Sequence, residues 1–217
     1  MSTSIARDED APYPVKRAKA DDVKAALLQR VSPDIQPFVQ EIMYTEGQIR
    51  DRAAQMGAEI TKRYQTLLKP GEALIIIGLL KGALPFMNEL ITHIAVPTIL
   101  EYISVHSYAG TETSGRIDFR HDMETDPKGQ HCLLVDDIVD TGGTLEWAVA
   151  HLNKKGVASV QTALMLDKKE RRTQPIDGDF VGFVIPNKFV VGFGLDFDQR
   201  MRNLPFVAVL AEAAYKK

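Results

Sequence analysis

Apolar residues recur every three or four positions at Ile49, Ala53, Met56, Ile60, Tyr64 and Leu67, the spacing that lines one face of an α-helix. Residues 49–68 therefore read as an amphipathic helix, closed by Pro70-Gly71. The pattern then changes period. Residues 73–80 form a continuous apolar run of strand length, residues 82–94 return to helical spacing, and residues 98–105 alternate and are rich in β-branched side chains, which predicts a strand. Residues 131–135 predict another strand. Residues 144–155 place Leu145, Ala148, Val149 and Leu152 on one helical face, with Gly156 as the stop. Further strands are expected over 158–166, 180–185, 189–194 and 206–210. Strands alternating with helices predict an α/β fold, a mostly parallel twisted sheet flanked by helices. The C-terminal strands predict a small subdomain over the sheet edge, and no internal repeat is visible.

Two segments lack this patterning. Residues 1–22 mix charges, alanines and prolines without an apolar period, which predicts a flexible N-terminal tail ahead of a single domain, 23–217. Residues 108–128 are polar and rich in threonine, glycine and acids, and they separate two strong strands. A long loop of that kind reads as a mobile lid that excludes water from a site, or as a disordered insertion.

The most informative chemistry lies between strand 131–135 and helix 144–155, in Asp136-Asp137-Ile138-Val139-Asp140-Thr141-Gly142-Gly143-Thr144. The glycines permit a tight turn and close approach to a ligand. Hydroxyls and free N–H groups at a helix start suit a phosphate. Carboxylates beside a phosphate would repel it unless they hold ribose hydroxyls or a hydrated divalent cation. An ordinary turn and helix cap would explain any one of these features. Their joint occurrence at the carboxyl end of a buried strand, where open α/β sheets bind ligands, points to a phosphoribosyl ligand. Neither the Walker phosphate loop nor the dinucleotide glycine fingerprint is matched.

Composition narrows the class without changing that picture. The chain has 217 residues, 45% of them hydrophobic, enough for one sizeable core. A net charge of −3 argues against nucleic acid as the general partner. No apolar run approaches a membrane span, and the polar, acidic start argues against a secretory leader, so the expected location is cytoplasmic. The one cysteine, Cys132, sits in an apolar run and reads as a buried, inert thiol. The histidines share no metal-ligand spacing.

The stretch 136–144 resembles the phosphoribosyl pyrophosphate signature of the type I phosphoribosyltransferases. Leu79-Leu80-Lys81-Gly82-Ala83, Ser107-Tyr108, the run from Phe180 through Lys188-Phe189-Val190-Val191-Gly192, and Leu195-Asp196 followed by Arg202 sharpen the resemblance to the hypoxanthine-guanine branch, over roughly residues 35–210. The resemblance implies the type I fold with a C-terminal/N-terminal hood and a long mobile loop. It implies transfer of phosphoribose from phosphoribosyl pyrophosphate to N9 of hypoxanthine or guanine, with Mg2+ as cofactor, in a homodimer or homotetramer. Asp136 and Asp137 match the acidic pair at the ribose hydroxyls beside magnesium, and Asp196 matches the holder of a second magnesium. Asp140 matches the residue facing purine N7. The loop Asp140, Thr141, Gly142, Gly143 and Thr144 matches the 5′-phosphate cradle, and Ile138 would lie against the base. Lys81-Gly82 matches a pyrophosphate-side loop that carries a non-proline cis peptide in relatives. Ser107-Tyr108 matches the start of the mobile loop, and Arg202 a pyrophosphate-contacting arginine. Phe189, next to Lys188, would stack on the purine. Lys168 would donate to O6, and the backbone of Val190 and Asp196 would meet the 2-position. Lys168 lies in a charged run, where a solvated face is the competing reading. Two positions depart from animal members, which carry glutamate at 136 and lysine at 143. These departures leave xanthine open as a further substrate. A regulator that senses a phosphoribosyl ligand through the same fold is the alternative from another class.

Overall fold

The computed structural model describes residues 27–107 and 117–215. Its chain order is β1 (Val39–Tyr44), α1 (Glu46–Gln65), β2 (Leu74–Leu80), α2 (Leu84–Ile91), β3 (Thr98–Ser107), β4 (Ile117–His121), β5 (His131–Val139), α3 (Gly143–Lys154), β6 (Ser159–Asp167), β7 (Phe180–Val184), β8 (Val190–Val191) and β9 (Val207–Leu210). A 6-stranded sheet runs β4-β3-β2-β5-β6-β7, and a 3-stranded sheet runs β1-β9-β8. In the large sheet only the β3–β4 pairing is antiparallel. Among the described residues no helix is long and apolar enough to cross a membrane.

The central strands explain their own composition. β2 is apolar throughout because both its faces are covered. Leu74 and Ile76 join a core with Ile49, Met56, Ile60 and Tyr64 of α1 and Phe86, Met87 and Leu90 of α2. Ile75, Ile77 and Leu79 join the opposite core, with Leu145, Ala148 and Leu152 of α3. The face expected of the first helix is thus the buried one. A capping box starts that helix: Thr45 accepts from the Gln48 N–H, and the Gln48 side chain accepts from the Thr45 N–H at 2.7 Å. Cys132 is buried, and its thiol is pushed up to about 12 by burial.

Several boundaries differ from expectation. Residues 82–94 shrink to α2, because Gly82 and Ala83 form the turn that leads into it and Thr92 caps its end. The strand expected over 131–135 continues through the acidic pair to Val139, since its pairing with β6 runs on to Val139 opposite Asp167. The strand expected over 189–194 is only β8; beyond it Gly192, Phe193 and Gly194 all take positive φ and turn the chain. Residues 108–128 are not one structureless loop: 117–121 form β4, which pairs with the end of β3. Phe119 of that strand packs on Trp147 and His151 of α3, and the Asp122 carboxylate accepts from Lys155 at 2.7 Å. β1 was not foreseen, and it completes the small sheet from the N-terminal side. The expected tail 1–22, and Tyr108 with the start of the expected lid, lie outside the described residues.

Candidate functional site

The carboxyl ends of β2, β5 and β6 converge on one edge of the large sheet, and the candidate residues gather there. β5 delivers Asp136 and Asp137 as its continuation. Asp136 is buried, and its Oδ1 accepts the Asp137 N–H at 2.9 Å. Burial raises both carboxyls above the ordinary range, and the neighbouring charge of Asp137 raises Asp136 further. The Lys81-Gly82 turn backs onto this pair. A Cβ on Gly82 would lie 1.8 Å from Asp137 Oδ2, so only glycine lets this backbone approach so closely. The cis peptide bond adjoining this turn is Leu80–Lys81.

Past Val139 the chain leaves the sheet and enters α3 through Asp140–Gly143. Gly142 is the N-cap in the left-handed region, φ +93°, which glycine adopts at little cost. Thr141 is exposed, while Gly143 faces open space on the side where a Cβ would stand. The α3 N-terminus therefore presents free N–H groups beside small, uncrowded residues, an arrangement suited to an anion.

Lys168 follows β6, and its backbone N–H donates to the Val139 carbonyl at 3.0 Å. That tie seats the lysine beside the loop after β5. It is only 6% exposed, so the solvated-face reading fails for Lys168 although Lys169 and Arg171 are exposed. Its Nζ lies 3.8 Å from Asp140 Oδ2, and burial pushes its ammonium below the usual lysine range against the pull of Asp140. Arg171 reaches the same Asp140 oxygen at 3.2 Å. Asp140 Oδ1 is buried without a hydrogen-bond partner. The paired Asp140 carboxylate and Lys168 ammonium thus keep acceptor and donor capacity to spare.

A second cluster stands on the turns between β8 and β9. Arg202 pairs with Asp196 Oδ1 at 2.7 Å and donates to the Gly194 carbonyl at 2.8 Å, while its buried Nε has no partner. Asp196 Oδ2 accepts the Gln199 N–H at 2.8 Å. Gln199 was not singled out in the sequence, yet its Oε1 accepts from both Lys81 Nζ and Arg202 Nη2 at 3.3 Å. Asp198, Gln199 and Met201 all hold positive φ, a conformation that costs non-glycine residues energy and gathers at functional sites. No local pattern in the sequence marks such a turn.

Phe189 touches the turn that carries the second cluster through Phe197. It is 39% exposed, stacked on Tyr215 at 5.0 Å between centroids and edge-on to Phe197. Val190 is buried and pairs with Val209, and Lys188 is exposed and paired with Glu41 at 2.7 Å. Ile138 is half-buried and Thr144 lies in the first turn of α3. Of Ser107 only the backbone is described, paired with Ile117.

The donor set fits magnesium. Among the described residues no group of three or more His, Cys, Asp or Glu converges as a self-sufficient cage. Two adjacent carboxylates, Asp136 buried and Asp137 half-buried, are what a hard cation uses when substrate oxygens and water complete its shell.

A phosphoribosyl transferase domain model matches residues 47–198. The chain is 40% identical over 178 residues to the hypoxanthine-guanine phosphoribosyltransferase of Streptococcus pneumoniae, covering 82% of this chain and 96% of that one. It is 37% identical over 179 residues to the enzyme of that name from Bacillus subtilis, covering 82% and 97%. Its structure is similar to a hypoxanthine phosphoribosyltransferase from Staphylococcus aureus, with TM-score 0.79, 32% identity and coverage of 86% and 100%. It is also similar to the Trypanosoma cruzi hypoxanthine phosphoribosyltransferase in complex with the product IMP, with TM-score 0.77, 36% identity and coverage of 82% and 97%.

Proposed function

The chain belongs to the hypoxanthine-guanine phosphoribosyltransferases, and from that premise we propose a division of labour among its own residues. The enzyme is a purine-salvage transferase that moves phosphoribose from phosphoribosyl pyrophosphate to N9 of hypoxanthine or guanine. The observation that carries the residue assignment is the meeting of buried Lys168 with Asp140 at the mouth of the loop into α3.

In this reading the loop from Asp140 to Thr144 holds the 5′-phosphate, and Asp136 and Asp137 hold the ribose hydroxyls. Phe189 offers its exposed ring to the base. Lys168 donates to O6, and because an ammonium only donates, the amino group of adenine finds no acceptor there. The Asp140 carboxylate faces N7 and accepts its proton as the N9 lone pair bonds to C1 and the C1–O bond to pyrophosphate breaks. Lys81 and Arg202, the latter with an N–H to spare, take the charge that builds on the leaving pyrophosphate. Asp136, Asp137 and Asp196 would hold Mg2+, which supplies charge neutralisation of the pyrophosphate oxygens when bound.

Initial rates with phosphoribosyl pyrophosphate, Mg2+ and each of hypoxanthine, guanine, xanthine and adenine test this. Pyrophosphate release with hypoxanthine and guanine and none with adenine is the expected outcome. Release with no base would overturn the reading. Xanthine is the base that the site leaves open, because the Lys168–Asp140 side does not read the 2-position.

A further inference from the structure

We propose that Arg172 is a positioning residue that, clamped by Asp167, fixes the backbone of the loop that receives the 5′-phosphate; this rests on the reading of that loop given above. The side chain of Arg172 is 12% exposed and lies between the loop after β5 and the loop after β6. Its Nε donates to the Asp140 carbonyl at 3.3 Å. Its Nη1 donates to the Ile176 carbonyl, and its Nη2 to Asp167 Oδ1 at the end of β6. The Asp167 side chain is only 1% exposed. A guanidinium so occupied is not an anion ligand itself. Each of its three nitrogens donates to a protein acceptor, and its charge is balanced by the buried Asp167 carboxylate, with the exposed Asp177 carboxylate 3.7 Å away.

The neighbouring contacts show what is being held. The Thr141 carbonyl accepts from Thr173 N–H at 3.0 Å, Gln174 N–H at 3.1 Å and Thr173 Oγ1 at 3.2 Å. A Cβ on Gly142 would lie 2.9 Å from Ile176 Cγ2 and 3.0 Å from Arg172 Cδ, so the loop is seated on the stem of the arginine. Only a planar fork spans Asp140, Asp167 and Ile176 together; a lysine keeps the charge but is a single point donor. Arg172 thereby aims the N–H groups that follow Asp140, and it does so without touching the ligand.

The test separates the phosphate from the rest of the nucleotide. Binding of IMP and of inosine, which lacks the phosphate, is measured calorimetrically for the wild-type protein, Arg172→Lys and Asp167→Asn. The wild type is expected to prefer IMP strongly; no preference would overturn the reading of the loop itself. Arg172→Lys is expected to lower the IMP-to-inosine affinity ratio about tenfold, the scale of one lost charge-assisted hydrogen bond. Asp167→Asn, which keeps shape and one acceptor oxygen, is expected to lower it by less. Inosine affinity should stay within about twofold, and the Michaelis constant for phosphoribosyl pyrophosphate should rise while that for the base does not. An unchanged ratio, or equal weakening of both ligands, would reduce Arg172 to a folding residue and overturn the proposal. If Arg172→Lys fails to fold, the Asp167→Asn ratio alone decides in the same way.

Discussion

Asp136 and Asp137 are carboxylates that the fold holds side by side in a poorly solvated place, and this has a thermodynamic sign. A carboxyl raised above its unfolded value binds its proton more tightly in the native state. Stability is then lost as pH rises from the ordinary carboxylate value, about 3.9, through the raised one. Asp136→Asn should therefore raise the melting temperature at pH 7, by about 2–4 °C for each kcal/mol relieved, and the gain should vanish in acid. Thermal melts across pH check this, and an equal gain at all pH values would exclude the electrostatic cause. Asp140→Asn should cut turnover by about two to four orders of magnitude with a smaller change in phosphoribosyl pyrophosphate binding. Lys168→Ala should raise the Michaelis constant for guanine more than that for phosphoribosyl pyrophosphate, and steady-state kinetics with both substrates varied reads the two effects apart. The run from Asp136 to Thr144 was legible because its chemistry is contiguous. By local pattern alone Lys168, Arg171 and Arg172 are not separable from one another, and only the family resemblance singles out Lys168. A charged run does not show which member the backbone tie at Val139 turns inward.

At the scale of elements, strong periodicity was read correctly and weak periodicity was missed. α1 and α3 kept their expected faces because each buries a stripe against one face of the large sheet. β1 escaped notice because its register with β9 shifts twice, and its burial does not alternate. β4 escaped because it is a short, polar edge strand, the form that resists unwanted pairing. β5 ran on beyond its apolar residues because strand length is set by the neighbour's register as well as by hydrophobicity. The junction of β2 with α2 carries its own prediction. Gly82→Ala would drive a methyl group into the Asp137 carboxylate, so either the turn or the carboxylate must move. The expected outcome is a folded protein with turnover reduced by about two orders of magnitude, the scale of a misplacement near 1 Å. Near-normal turnover of Gly82→Ala would mean that the close approach has no role in the reaction.

The two sheets of the whole molecule share one core. Tyr44 of β1 stacks on Phe183 of β7, with ring centroids 3.9 Å apart and planes at 21°. Val190, Phe193, Leu195, Val207 and Val209 of the C-terminal part join the same buried cluster as α1, α2 and the central strands. Arg52 of α1 adds polar ties to β7, donating to the carbonyls of Val181 and Gly182 at 2.8 and 3.2 Å. One face of the small sheet is thus buried only against the large one, while its other face has a core of its own around Val39, Val191, Phe206, Ala208 and Leu210; the shared face supports the proposal that residues 23–217 form a single domain. The placement also explains the chemistry: base-side and pyrophosphate-side turns from the small sheet can meet β5 only if both sheets are locked together. Such a molecule should unfold in one transition. The single tryptophan, Trp147, lies on α3 against the core opposite the small sheet, so its fluorescence reports a remote part of the fold. In urea its midpoint should coincide with that of far-ultraviolet circular dichroism. Tyr44→Ala should shift both midpoints together, by an amount corresponding to about 3–5 kcal/mol for loss of a buried aromatic ring. Circular dichroism moving ahead of Trp147 fluorescence would show instead that the small sheet melts as a unit of its own.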